Sequence, residues 1–210
     1  MKELLLAVTM FAVFGTAHAD VLAPDVLIKS TVQDVTTIIK HDQDIQAGNQ
    51  KKILALVDSK VLPNFDFTRM TQLAVGKYWR TATAEQKQSL VTEFRNMLVR
   101  TYTRVFTVYR DQAIEVKPLK MAADATEATV QTVISKPGTP PVLVNYEMKK
   151  AADGWKAFDI TIEGVSMVMS YRGTFASEIQ EKGVDGLIKA LTDKNVRSSD
   201  DGDVRKTGAR

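Results

Sequence analysis

The chain has no cysteine, one histidine outside its first 19 residues (His41), and no long apolar run beyond its N-terminus. Each absence excludes something. Without cysteine no disulfide can brace the fold, and a chain of this length can bury enough apolar surface to do without one. A lone His41 removes histidine-based triads and histidine-rich zinc sites together. No phosphate-binding loop and no dinucleotide glycine pattern occurs. An excess of one charge sign is also lacking: 28 Lys and Arg face 25 Asp and Glu, a net charge of +3. The two signs are interspersed, which excludes the basic stripe of a nucleic-acid binder. The small positive balance favours approach to anionic membrane surfaces only weakly once screened.

The N-terminus reads as an export signal. Lys2 gives a basic start, and Leu4 to Phe14 form an apolar run too short to span a bilayer as a helix. Ala17-His18-Ala19 presents the small-x-small pattern of a cleavage site, so cleavage is expected after Ala19 and the mature chain begins at Asp20. Removing Met1 to Ala19 takes out Lys2 and Glu3 and leaves the net charge unchanged.

Periodicity divides the remainder into a helical first half, a β-rich middle and a helical end. Val32, Val35, Ile38, Ile39 and Ile45 recur at helical spacing, with Gly48-Asn49 as a stop. Ile53, Leu54, Val57 and Val61 suggest a second helix closed by Pro63, and Phe67 to Val75 a third ending at Gly76. Thr83-Ala84-Glu85-Gln86 fits a capping box. Behind it Leu90, Phe94, Met97, Leu98, Tyr102, Val105, Phe106 and Tyr109 form one stripe, predicting a helix of about 25 residues, roughly 37 Å long. The period then becomes two. Segments begin at Ile114, Ala128 and Val142, and a fourth runs from Trp155 to Glu163, with Pro137 to Pro141 and Asp153-Gly154 as turns. Helical pattern returns over Val165–Ile179 and Val184–Leu191. The class is α+β: an antiparallel sheet of about four strands with helices packed on one face. One domain, residues 20–192, is followed by a polar tail, 193–210, whose composition is that of a disordered segment.

Chemistry-bearing patterns fail on inspection. Gly164-Val165-Ser166-Met167-Val168 resembles a nucleophile elbow until Val168, where the second glycine should stand. A polar turn or helix cap is the better reading of Ser166. Asp42 and Asp44 are two apart and cannot share a helical face. Asp200, Asp201 and Asp203 are too few for a calcium loop. Asp159 falls inside an apolar strand, where a carboxylate must be satisfied by backbone or arginine donors. No catalytic residue and no metal ligand is assigned.

The aromatics remain. Eight of the thirteen that follow the leader lie between Phe65 and Tyr109. Such a block is either core or the wall of an apolar cavity. Tyr102, Tyr109 and Tyr146 suit a cavity with one wet end, and Met97, Met148, Met167 and Met169 supply adaptable apolar surface.

The spelling of the block resembles a known family. Leu62-Pro63-Asn64-Phe65-Asp66-Phe67 and Leu73 through Gln86 (LAVGKYWRTATAEQ), with Phe94-Arg95 and Tyr102, are similar to the MlaC (toluene-tolerance) family of periplasmic phospholipid-binding proteins. Gly154 to Asp159, Glu163 to Met167, Tyr171-Arg172, Phe175 and Asp185-Gly186-Leu187 continue the order. The resemblance implies a soluble, monomeric, non-enzymatic periplasmic carrier that shuttles glycerophospholipid between outer and inner membranes of a Gram-negative cell and maintains outer-membrane lipid asymmetry. Implied partners are an outer-membrane lipoprotein complex and the lipid-binding ring subunit of an inner-membrane ABC transporter. Nucleic acid is not expected, and the only bound group is phospholipid, as cargo. On this reading the acyl tails lie in an apolar cavity between the long helix and the sheet. The expected contacts are Met70, Leu73, Leu98, Tyr102, Phe106, Val144, Tyr146, Phe158, Val165 and Met167, with the head group at the mouth near Arg69 or Arg172. A periplasmic lipid hydrolase and a protein-binding adaptor with an exposed apolar groove are the alternatives.

Overall fold

A computed structural model describes residues 21–103 and 112–207, with side chains as far as Arg197. The expected leader and its expected cleavage site, with Val105, Phe106 and Tyr109, lie outside the described residues.

Helix α1 (Pro24–His41) opens on a proline in its first turn, where the missing N–H costs nothing. Asp42 leaves helical geometry and caps α2 (Gln43–Gln46), accepting hydrogen bonds from the N–H groups of Asp44 and Ile45. The single helix expected through Ile45 is therefore two. The Asp42 carboxylate also meets Lys52 at 3.0 Å, which holds it below the usual carboxylate range. Gly48 takes φ +84°, and Asn49 caps α3 (Gln50–Leu56). A wide turn over Val57–Val61 and a tight one over Leu62–Asn64 complete that segment, followed by α4 (Phe67–Val75), capped by Asp66.

The capping box at Thr83 forms as expected. Gln86 N–H donates to the Thr83 hydroxyl, the Gln86 side chain accepts from Thr83 N–H, and α5 (Ala84–Tyr102) follows. The stretch expected to carry this helix to Tyr109 belongs to residues 104–111.

Five antiparallel strands follow in simple order: β1 (Ala113–Val116), β2 (Glu127–Ser135), β3 (Val142–Ala151), β4 (Gly154–Ile162) and β5 (Val165–Ser166). The fifth corrects the reading of Val165 as the start of a helix. Glu163 (φ 48°) and Gly164 (φ 82°) both take positive φ, the backbone of a tight hairpin turn, so the chain folds back onto β4 first. The last helix, α6 (Arg172–Thr207), begins seven positions later and leaves helical geometry once, at Gly183 (φ 72°). Its packed part passes Thr192: Asn195 is 6% exposed and donates to the Glu93 carbonyl and carboxylate of α5.

Register assigns the two faces of the sheet. Val130 pairs with Tyr146, Thr132 with Val144, and these continue to Ile160 and Ile162, while Met148 pairs with Ala157. These side chains share one apolar face, because directly paired residues point the same way. Thr129, Glu147 and Asp159 mark the other. A bulge opposite Glu147 and Met148 leaves Phe158 as the extra residue of β4. α1 covers part of the apolar face, burying Ile28 with Val130, Met148, Trp155 and Ala157. Helices α4, α5 and α6 form a second cluster around Leu90, Phe94, Met97, Leu98, Phe175 and Leu187. Phe65 packs against both clusters, and its backbone runs alongside Ala157, with Asp66 N–H donating to the Ala157 carbonyl at 2.9 Å.

Candidate functional site

Helix α4 and the tight turn after it build a pocket of about 530 Å³. Arg69, Gln72, Leu73 and Gly76 recur at three- and four-residue spacing, so one face of α4 forms a wall. Lys77, Trp79 and Arg80 come from the turn Gly76–Arg80, and Arg172 from the start of α6. Among the described residues four cations line the pocket and no carboxylate does. Lys77, Arg80 and Arg172 have no ion-pair partner among the described residues. Arg69 is held differently. Its guanidinium meets Glu127 at 2.9 Å and lies over the Phe158 ring at 4.1 Å, while its Nε is buried without a hydrogen-bond partner. A cation stacked on a ring is stabilised by roughly 0.5–2 kcal/mol according to its exposure.

Gly76 suits its position in two ways. Its φ of +63° is a conformation side chains rarely adopt, and a Cβ there would meet the Arg172 guanidinium at 3.1 Å. Glycine thus lets Arg172 lie flat against the backbone at the pocket's edge.

The structure brings both arginines expected at the head group into this one pocket. It divides the residues expected around the tails. Met70, Leu73, Leu98, Tyr102 and Phe158 belong to the helical cluster. Val144 and Tyr146 lie on the apolar face of the sheet, Tyr146 packed into its cluster with α1. The bulge is what turns Phe158 away from Val144 and Tyr146 towards the helices. Met167 is half-buried, Val165 is 63% exposed, and Phe106 lies outside the described residues. Val165 pairs with Ile162, itself 37% exposed, at the end of the sheet's apolar face. Burial pushes the phenol of Tyr146 above its ordinary pKa, against a hydrogen bond with Thr132. Burial, then a hydrogen bond with Tyr102, does the same to Tyr171. Both phenols are neutral.

Ser166 and Asp159 have a structural explanation. Asp159, 7% exposed, accepts hydrogen bonds from the Ser166 hydroxyl, from Val168 N–H at 3.1 Å and from Ile160 N–H at 2.8 Å. The Ser166 oxygen in turn accepts from Met169 N–H at 2.9 Å. This network fixes the passage from β4 through β5 into α6. Asp159→Ala strands the Val168 N–H inside the protein, and a loss of about 3 kcal/mol is expected. Urea unfolding checks this, and a midpoint within error of wild type would contradict the role.

Lys77, Arg80 and Gln72 are not among the site residues expected from the sequence, and Trp79 enters there only as a member of the aromatic block. Their signal was present: continuing the α4 face by one step past Leu73 reaches Gly76, where the Lys77–Arg80 turn begins.

A helical layer and a five-stranded antiparallel sheet, with a cationic pocket backed by apolar side chains, define a small α+β binding protein. The family described as MlaC protein matches residues 29–193, and the chain belongs to it. It is 23% identical over 186 residues to the intermembrane phospholipid transport system binding protein MlaC of Haemophilus influenzae, covering 87% of this chain and 86% of that one. It is likewise 23% identical over 177 residues to the toluene tolerance protein ttg2D of Pseudomonas putida, covering 84% and 82%. Among solved structures, the phospholipid-binding protein of Ralstonia solanacearum, in complex with a phospholipid, superposes with a TM-score of 0.76 at 37% identity. That match covers 83% of this chain and 98% of the other.

Proposed function

We propose that this protein is a periplasmic phospholipid carrier that moves glycerophospholipid between the inner and outer membranes. One observation carries the reading: the Arg69 guanidinium, a wall of the cationic pocket, rests on Phe158, a member of the helical apolar cluster. Polar and apolar recognition thus meet at one side chain, as an amphiphile requires. A diacyl lipid carries about 30 chain methylenes, and exposing them at ~0.8 kcal/mol each would cost roughly 24 kcal/mol. A carrier must therefore enclose the tails, and passage from bilayer to protein is then nearly neutral. The tails lie between the helical cluster and the sheet, against Met70, Leu73, Leu98, Tyr102, Phe158, Val144 and Tyr146, with Val165 and Met167 at the mouth. Arg69 and Arg172 hold the head group. A carrier of this kind exchanges cargo with a transporter in the inner membrane and an acceptor complex in the outer one, and the chain itself hydrolyses nothing. The relatives named for phospholipid transport and phospholipid binding support the same reading.

Organic extraction of the purified protein followed by mass spectrometry tests it. Intact phospholipid at close to one molecule per chain is expected. Released fatty acid would mean a hydrolase, and an empty extract an adaptor. Val165→Glu places a carboxylate at the mouth, where 63% exposure lets the fold stand. The variant is expected to retain its circular dichroism and lose most of its lipid. A full complement of lipid would overturn the placement of the mouth.

A further inference from the structure

We infer that the pocket formed by Arg69, Lys77, Arg80 and Arg172 binds a phosphate-bearing anion, and that it favours lipids whose head group carries a net negative charge. The inference rests on the carrier reading and adds the class of cargo.

Five of the eight lining residues carry a cationic or amide side chain, which suits this pocket to a head group, with Leu73 and Trp79 as its large apolar side chains. A volume near 530 Å³ is suited to a small ligand. The cations decide its sign. Glu127 engages one Arg69 nitrogen from outside the pocket lining, and Lys149 also reaches Glu127, at 3.9 Å. That leaves Lys77, Arg80 and Arg172 without an anionic partner among the described residues. Unpaired cations converging on a concavity repel one another, and an anion relieves this. Phosphate oxygens are the fitting acceptors, because guanidinium groups present planar pairs of N–H donors that match them. The buried Nε of Arg69 is a further donor with no partner. The position of Arg172, flat against Gly76, holds one such fork at the rim without a carboxylate to orient it.

A zwitterionic head group brings its own ammonium to these four cations and gains little. A head group with an uncharged alcohol, such as glycerol, brings only the phosphate charge. The Trp79 ring then offers a face for its carbons, with the Lys87 ammonium over that ring at 5.8 Å.

The test uses the delipidated protein loaded from mixed vesicles of phosphatidylglycerol and phosphatidylethanolamine at equal proportion, with the bound ratio read by mass spectrometry. Wild type is expected to enrich phosphatidylglycerol by about fivefold at low salt, the scale of a few charge-assisted contacts at a partly exposed site. The enrichment should shrink towards unity at 1 M salt, where the Debye length is ~3 Å. Lys77→Gln with Arg80→Gln changes two exposed side chains and is expected to bring the ratio close to one. Lys40→Gln, an exposed cation of α1, should keep the wild-type ratio. A parallel arm titrates inorganic phosphate into delipidated wild type and the double variant by calorimetry. Phosphate binding that the double variant loses, with an unchanged lipid ratio, would make this a free-phosphate site and overturn the lipid assignment. An unchanged ratio with no phosphate binding would overturn the site altogether. Neither result touches the carrier reading, which is tested separately by whether wild type takes up intact lipid.

Discussion

Phe94→Ala is expected to destabilise the fold by about 3–5 kcal/mol, the range for removing a fully buried phenylalanine. Phe94 is 0% exposed and sits where α5 meets α6. Its ring meets Tyr171 edge-on at 5.3 Å and Phe175 at 5.2 Å. Truncation removes the transfer free energy of the ring and two edge-to-face contacts worth about 0.5–1.5 kcal/mol each. The hole cannot close readily, because α5 is pinned at one end by the Thr83 capping box and at its middle, beside Phe94, by Asn195 bonded to Glu93. For a domain of this size each kilocalorie shifts the melting temperature by about 2–4 °C, so a drop of about 6–20 °C is expected by calorimetry. Phe94→Leu, which keeps most of the volume, should recover more than half of the loss. Equal melting temperatures for Phe94→Ala and wild type would mean that the ring lines a space already open, and the division between core and cargo site would have to be redrawn.

That division is where sequence reading stopped. Local signals were legible because each rests on one or two side chains acting on nearby backbone. Thr83 with Gln86, Gly76 after Val75, and the alternation in β2 and β3 all took the positions their spacing implies. Two failures have a common cause. The bulge at Phe158 and the hairpin at Glu163-Gly164 break a period without changing composition, so a strand-to-helix junction looked continuous. An apolar stripe equally does not say what covers it. Leu98 and Phe94 belong to the same stripe and both lie in the helical cluster, whereas Val144 and Tyr146 face a different one. The cationic pocket was half legible: Arg69 and Arg172 were singled out, and the three-dimensional proximity of Lys77 and Arg80 to them depends on how α6 returns to α4.

Removing the lipid is expected to lower the melting temperature by about 8–16 °C. A ligand present at a thousand times its dissociation constant stabilises the native state by about 4 kcal/mol, and a domain of this size gains about 2–4 °C for each kilocalorie. The size of the effect follows from the proposed placement of the tails: between two clusters that share Phe65, they would couple the helical layer to the sheet. Calorimetry of the protein as purified and after delipidation measures the difference, and re-loading from vesicles should restore the higher value. Added vesicles of isotopically labelled phospholipid should exchange label with the bound cargo, because the bilayer offers the same methylene burial as the protein and competes for the cargo on nearly equal terms. Tight retention against such vesicles would contradict a shuttle, since cargo held far more strongly than a membrane holds it could not be delivered. Identical melting temperatures with and without lipid would mean that the two clusters are already complete cores, and that the tails lie elsewhere.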